Sequence, residues 1–394
     1  MAFDVEMATQ AYMATLSGAA RAKSDAYFEG GYWLIAWDFL VTILANGAVL
    51  HLGWAARLSA WAKGRAKGGF GRAFLFAVPY VLLVTAITLP FTIYTDFFRE
   101  HQYGLSNQSF GAWAGEAGIG LAINTIVLAL LWGGIHCAIR RSPKGWWLAG
   151  TGITVIGMTI AIAIAPVAIA PLFNDYVPLP DGPVKQAVLA MARANGVPAD
   201  NVYLVDASRQ SDRISANVQG LGATTRISLN DNLMKQDLAE IRAVMGHELG
   251  HYVLNHAWKM LLALVLITAA AFLIIGLGMP WLVARFGARW GIADLNDPAV
   301  LGAAMLVLAG VSVVLSPAMN TLIRTQEQEA DVFGLNAARA PDGFARIAMK
   351  LSQYRKIEPG AAEEAIFFDH PSGHTRVLTA MRWKAEHLDA PDVK

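Results

Sequence analysis

Cysteine is almost absent from the 394-residue chain: Cys137 stands alone, so no internal disulfide can form. It lies in an apolar run, where a small core residue is expected rather than a nucleophile. Charge is scarce as well. Asp, Glu, Lys and Arg make up 15% of residues and hydrophobic types 55%, which is apolar and charge-poor for a soluble protein of this length. The net charge of +1 comes with no basic groove interleaved with aromatics, so no nucleic-acid partner is expected. The opening MAFDVEMATQ begins with acids and lacks a basic start followed by an apolar core, so no signal peptide is expected. Repeats and low-complexity tracts are missing too, and nothing in the sequence specifies an oligomeric state.

What the chain does have is long apolar runs. A bilayer crossing needs about 20 apolar residues. Six stretches qualify: near Tyr32–Leu52, Ala73–Tyr94, Ile119–Ile139, Trp146–Ala170, Met260–Val283 and Val300–Leu322. Trp33, Trp37, Trp54, Trp146, Trp147, Trp258 and Trp281 cluster at their ends, where amphipathic rings anchor to headgroups. The expected division is an N-terminal segment over 1–30 forming an amphipathic surface helix, and four spans over 31–170. A polar insert over 171–258, two further spans over 259–322 and a helical C-terminal segment over 323–394 follow. The insert opens with a Pro- and Gly-rich turn, APLFNDYVPLPDGPVK. A helix over Val184–Asn195 ending at Gly196 and a strand at NVYLVD come next. ANVQGLGATTRISLN reads as a hairpin with Gly220 and Gly222 at its turn.

The insert ends in VMGHELGHYVLNHA, on a helix for which Asp237 is the expected N-cap. Residues i and i+4 share a helical face, so His247 and His251 can offer imidazole nitrogens to one metal ion. Glu248 is rotated by about 100°, off the metal yet near a water polarised by it. The ion lowers the pKa of that water and the carboxylate accepts its proton. This is the H-E-x-x-H zinc protease arrangement. Gly246 and Gly250 add little helix propensity, which points to close packing or a nearby ligand.

A catalytic zinc takes three protein ligands and keeps one open position. His256 falls one position short of the longer H-E-x-x-H-x-x-G-x-x-H spacing, where Ala257 sits, so a polar contact at the edge of the site is expected of it. The better third ligand lies past the sixth span, in IRTQEQEADVFG. Glu327 and Asp331 share one helical face there. Glu327 would complete a two-His, one-Glu set, and Asp331 would accept a hydrogen bond from a ligand histidine, fixing its tautomer. Glu329 is the rival ligand, on a different face.

With these motifs the chain resembles the type 1 CAAX prenyl proteases, membrane zinc metalloproteases that cleave prenylated proteins. The resemblance runs from about Phe28 to Trp383. EHQYGLSNQSF, IAPLFNDYVPLPDGPVK, GHELGHYVLNH and RTQEQEAD carry it. It implies a mainly α polytopic membrane fold with a small α+β, gluzincin-like zinc domain, and a zinc cofactor on His247, His251 and Glu327 with Asp331 behind. SANVQG implies that Asn217 hydrogen-bonds substrate backbone, as an extended peptide adds to a sheet edge. DHPSGHTR implies that His370 and Arg376 lie near the substrate or the oxyanion.

Two departures stand out. Eukaryotic members carry an additional first span, and a longer charged insert that is absent here between Leu233 and Glu240. The shorter form looks bacterial, which points to an inner-membrane protein. Bacteria generally lack protein prenylation, so the native substrate stays open between prenylated and other membrane-associated chains.

Two rivals remain: a quality-control protease with no lipid requirement, and a transporter or channel with a structural metal site. Orientation is also divided. Lys and Arg crowd the loops Trp54–Arg72, Arg140–Gly145 and Ala284–Pro298 and are sparse opposite, so the charge rule puts the zinc helix outside the cytoplasm. The resemblance implies a cytoplasm-facing zinc, and the expectation follows the resemblance.

Overall fold

The structure is a computed structural model that describes residues 3–220, 225–390 and 393. A short helix, α1 (Val5–Met13), precedes the long α2 (Gly18–His51), and α3 (Trp54–Arg65) turns back before α4 (Gly69–Ile93). A π-helical turn over Tyr94–Phe98 joins α4 to α5 (Arg99–Gln102). Then come α6 (Phe110–Arg141) and α7 (Trp146–Ile164), the latter prolonged by a second π turn over Ala165–Ile169. The insert contains β1 (Tyr176–Pro178), α8 (Pro183–Ala194), β2 (Val202–Val205), β3 (Ala216–Gln219), β4 (Arg226–Asn230) and α9 (Leu238–Val253). α10 (His256–Trp290), α11 (Val300–Ala338), α12 (Pro341–Leu351), α13 (Ala361–Phe367) and α14 (Gly373–Glu386) complete the chain.

Six helical segments are long and apolar enough to cross a membrane: Gly18–His51, Gly69–Gln102, Phe110–Arg141, Trp146–Leu172, His256–Trp290 and Val300–Ala338. Each of the six apolar runs is one of them, and most helices continue past the run. α11 does so furthest: it carries the sixth span and then, unbroken, Glu327 and Asp331. The division expected at residue 322 therefore falls inside one helix.

The membrane helices pack through Leu50, Phe76, Trp132, Ile275 and Trp290. They surround a cavity of about 760 Å³ whose lining includes Asp38, Asn46, Tyr80, Asn124 and Asn320. Tyr80 donates to Asn46, two polar groups that meet between helices instead of facing lipid. Their outer faces leave Trp33 71% and Trp281 64% exposed, as headgroup anchors should be. Trp146 does not join that belt. It is 5% exposed and lies beside Phe272, where Gly150 and Gly276 leave room for its ring. Cys137, expected in a core, is exposed, because in a membrane helix an apolar run faces lipid as readily as protein.

In the insert the sheet order is β1-β2-β4-β3. β2 runs parallel to β4, and β3 is antiparallel to β4 with Asn217 opposite Ser228. The hairpin forms as expected. Gly220 has φ 91°, in the region that suits glycine, while Gly222 lies outside the described residues. β1 replaces part of the expected opening turn. It is an edge strand, where Pro178 removes no interior ladder donor. Ile227, Leu229, Ile241, Met245 and Leu249 bury the sheet against α9. A third core joins α12 and α14 through Phe344, Ile347, Val377 and Met381. Met13 of α1 is buried in that core while Glu6, Met7, Gln10 and Ala11 are exposed, so α1 lies against this core by one face and shows the other to the outside.

Candidate active site

α9 begins with a reciprocal cap. Asp237 accepts from the Glu240 amide at 2.8 Å, and Glu240 accepts from the Asp237 amide at 3.2 Å. Glu240 is buried, and Lys350 and Arg346 of α12 reach it at 2.8 and 3.3 Å. Further along, α9 lies backbone to backbone on α11. A Cβ at Gly246 would fall 2.8 Å from the Gly334 carbonyl oxygen, and one at Gly250 would meet Phe333 at 3.1 Å and Ala330 at 3.2 Å. The two glycines inside the motif therefore serve close packing, which brings the acidic face of α11 against the histidine face of α9.

His247 Nδ1 lies 2.8 Å from Asp331 Oδ1. His251 Nδ1 lies 2.9 Å from His256 Nδ1. Each imidazole thus engages one nitrogen with a neighbour and turns the other inward, and the two Nε2 atoms stand 3.0 Å apart. Glu327 closes the triangle, with Oε2 3.3 Å from His247 Nε2 and Oε1 3.3 Å from His251 Nε2. Among the described residues this is the one His/Cys/Asp/Glu trio with metal-holding geometry, its ligand atoms all within 4.8 Å of one another. Burial works against a charged His247, but hydrogen bonds to Asp331 and Glu327 outweigh it and push its pKa up to about 10. A pocket that gathers positive charge in this way suits a divalent cation, and its donors are those of a transition metal.

Glu248 lines the adjacent cavity of about 160 Å³ together with Ala216, Tyr354, Arg355, His370 and Arg376. Burial, opposed by His247 and His251, pushes its carboxyl pKa up. Among the described residues no hydrogen bond or ion pair engages its side chain. A carboxylate in that state is free to exchange a proton with something in the cavity.

His370 Nδ1 is 2.8 Å from Asp369, and its Nε2 is 3.3 Å from Glu327 Oε2. Burial opposes ionisation of Asp369, yet His370 and Arg355 hold its carboxyl below the usual range. Arg376, expected near substrate, uses its fork on protein carboxylates. Nε donates to Asp331 Oδ2 at 2.9 Å, and NH2 donates to Asp331 Oδ1 at 2.9 Å and Glu327 at 3.2 Å. Glu329, the rival ligand, turns to His256 at 3.0 Å and Lys259 at 2.6 Å. His256 reaches both His251 and Glu329 because Asn255 adopts a left-handed φ of 58° and turns the chain between α9 and α10.

Asn217 sits on β3, the open edge of the sheet, and does not line the cavity, whereas Ala216 does. The Asn230 amide bonds to the Ser215 carbonyl at 3.0 Å. Antiparallel alternation then turns the backbone groups of Ala216 and Val218 to the free edge and those of Asn217 toward β4. Asp369, Tyr354 and Arg355 are the site neighbours that sequence reasoning missed. Asp369 adjoins His370 and was within reach; the other two come from a turn after α12 that no spacing marks.

Residues 178–384 match the family described as Peptidase family M48, and residues 8–175 match one described as CAAX prenyl protease N-terminal, five membrane helices. The chain is 29% identical to an uncharacterized metalloprotease, YhfN, of Bacillus subtilis, over 90% of this chain and 83% of that one. It is 29% identical to a CAAX prenyl protease 1 homolog of Dictyostelium discoideum, over 66% of this chain and 62% of that one. The crystal structure of S. mikatae Ste24p shares its fold, with a TM-score of 0.73 at 21% identity, covering 96% of this chain and 94% of that one. An enzyme thereby replaces the transporter or channel alternative, and the chain belongs to Peptidase family M48, as a membrane metalloprotease.

Proposed function

We propose that this protein is a zinc endopeptidase that cuts membrane-associated chains, prenylated proteins among them. One observation carries the reading: two imidazoles and Glu327 converge on one point, with the unengaged Glu248 beside it in a cavity that borders an open sheet edge. Zinc held by His247, His251 and Glu327 would supply Lewis acidity that lowers the pKa of water toward about 7.

The remaining work falls to the chain's own side chains. A peptide adds along β3, paired by the outward backbone of Ala216 and Val218, while the Asn217 side chain fixes its register. Glu248 takes a proton from the attacking water and delivers it to the leaving amine. Asp369 orients the imidazole of His370 through Nδ1, so that Nε2 faces the developing oxyanion. Arg376 adds its charge from behind Glu327 and holds both acids of α11 in place.

Substrate class follows from position. α9 meets α10 at Asn255, so the catalytic helix abuts a membrane crossing, and chains attached to lipid arrive at that level. The test is cleavage of one peptide with and without a prenyl group. Faster cleavage of the prenylated form is expected, and equal rates would favour a quality-control protease. We place the zinc on the cytoplasmic side of a bacterial inner membrane. Alkaline phosphatase activity from a fusion after Lys394 would reverse that orientation.

A further inference from the structure

Arg355 is an anomaly in the site. It is half-buried, lines the same cavity as Glu248 and His370, and among the described residues no hydrogen bond or ion pair engages its guanidinium. Other arginines of this half of the molecule that are withdrawn from solvent have partners. Arg213 reaches Glu100 at 2.8 Å, Arg324 reaches the Glu364 carbonyl at 2.8 Å, and Arg376 holds Asp331 at 2.9 Å. Its guanidinium carbon lies 5.9 Å from the centroid of the Tyr354 ring. Burial and the neighbouring Arg376 push its pKa down, against the pull of Asp369 and Glu327. A cation left in that condition inside a protein is costly unless something answers it.

The side chain is held where it is by its backbone. Ser24 of α2, fully buried, donates to the Ser352 and Arg355 carbonyls at 2.6 and 2.8 Å. That fixes the turn against a membrane-spanning helix, so Arg355 is not a surface residue that has drifted inward. The cavity it faces also has a direction. A peptide added antiparallel to β3 runs its C-terminal part toward the start of that strand, and Ile214, Ser215 and Ala216 there line the cavity with Arg355. Phe344, Ile347 and Leu351 make the floor apolar.

We infer that Arg355 is a specificity residue that binds a carboxylate of the substrate on the C-terminal side of the cut bond. This deepens the proteolytic reading and rests on it. The carboxylate has two sources, the C-terminus of a substrate cut near its end or the side chain of an Asp or Glu. Guanidinium and carboxylate match as paired donors and acceptors, and the apolar floor excludes water that would otherwise weaken the pair.

The experiment uses a fluorogenic alanine–leucine peptide in three forms: free C-terminal acid, C-terminal amide, and the amide with one Glu past the cut site. With the full-length protein in detergent, kcat/KM for a carboxylate-bearing form should exceed that for the plain amide by about 10- to 100-fold. The gain should appear in KM. Preference for the acid assigns the C-terminus; preference for the Glu amide assigns a side chain. In Arg355→Gln the ratio should fall to about 1, and Arg355→Lys should restore part of it. Equal rates for all three forms with the unaltered protein, or a ratio unchanged in Arg355→Gln, overturn the assignment. Calorimetric binding of the three peptides to Glu248→Gln protein decides the matter independently of turnover. If none is cut yet the acid still binds tighter, the proteolytic reading fails and the carboxylate site stands.

Discussion

A Cβ added at Gly246, on the catalytic helix, would lie 2.8 Å from the Gly334 carbonyl oxygen; one added at Gly278, in the fifth crossing, would have nothing within 4 Å. Glycines with no room for a Cβ occur in both halves, since one added at Gly287 of α10 would lie 2.5 Å from the Ile292 carbonyl oxygen, so the halves differ instead in how polar groups are held. The catalytic half fixes its residues by backbone contact, a reciprocal cap and chains of charged hydrogen bonds. The membrane half rings a cavity of about 760 Å³ and turns apolar side chains outward. Chemistry demands donors held within fractions of an ångström, while a bilayer demands only that polar backbone be satisfied and apolar surface be presented. Ordered polar contacts are therefore concentrated where ligands must converge.

The sharpest break in this comparison would be chemical. Glu248→Gln should lower kcat by about 10²- to 10⁴-fold while metal content stays unchanged. Peptide cleavage and metal analysis on the same sample check it, and full activity with bound metal would refute the role given to Glu248. Next, Asp331→Asn should weaken metal affinity by about 10- to 100-fold, read by competition with a chelator, because His247 loses the anionic charge of its acceptor and Arg376 loses one of its two carboxylate oxygens.

The third test sets one half directly against the other. Gly246→Ala should cost about 1–3 kcal/mol from overpacking and lower the melting temperature in detergent. Gly278→Ala should leave it unchanged or raise it, and equal losses would erase the contrast. The smallest effect concerns the cap. Asp237→Ala should cost about 1 kcal/mol. The Asp237 carboxyl is held below its usual range, since the Glu240 amide and Arg346 outweigh burial. A depressed pKa means the charge contributes fully above about pH 4 and is lost as pH falls through the folded value. The gap in melting temperature between the two proteins should therefore close on acidification.

Much of this was legible because spacing encodes it. His247 and His251 share a face by the helical repeat, and an incomplete ligand set called for the carboxylate that Glu327 supplies. Apolar length alone marked the crossings. Illegible features depend on what faces what across helices. Trp146 was read as an interfacial ring, yet Gly150 and Gly276, far apart in sequence, make it a space-filler. Cys137 could not be assigned to lipid or core from its neighbours. The fork of Arg376 closes on Asp331 only after α14 docks on α11, and no pattern near Arg355 reports that its guanidinium lacks an anion.

α11 enters at Val300, crosses the apolar layer, and reaches Glu327 and Asp331 as one helical rod, in which Pro317 removes a single backbone hydrogen bond. Such a rod is a lever. A bilayer thinner than its apolar stretch makes it lean, at a cost of fractions of a kcal/mol per ångström, and the far end swings with it. Lipid chain length thus becomes a variable of hydrolysis: thickness on one side of the molecule is felt as ligand alignment on the other.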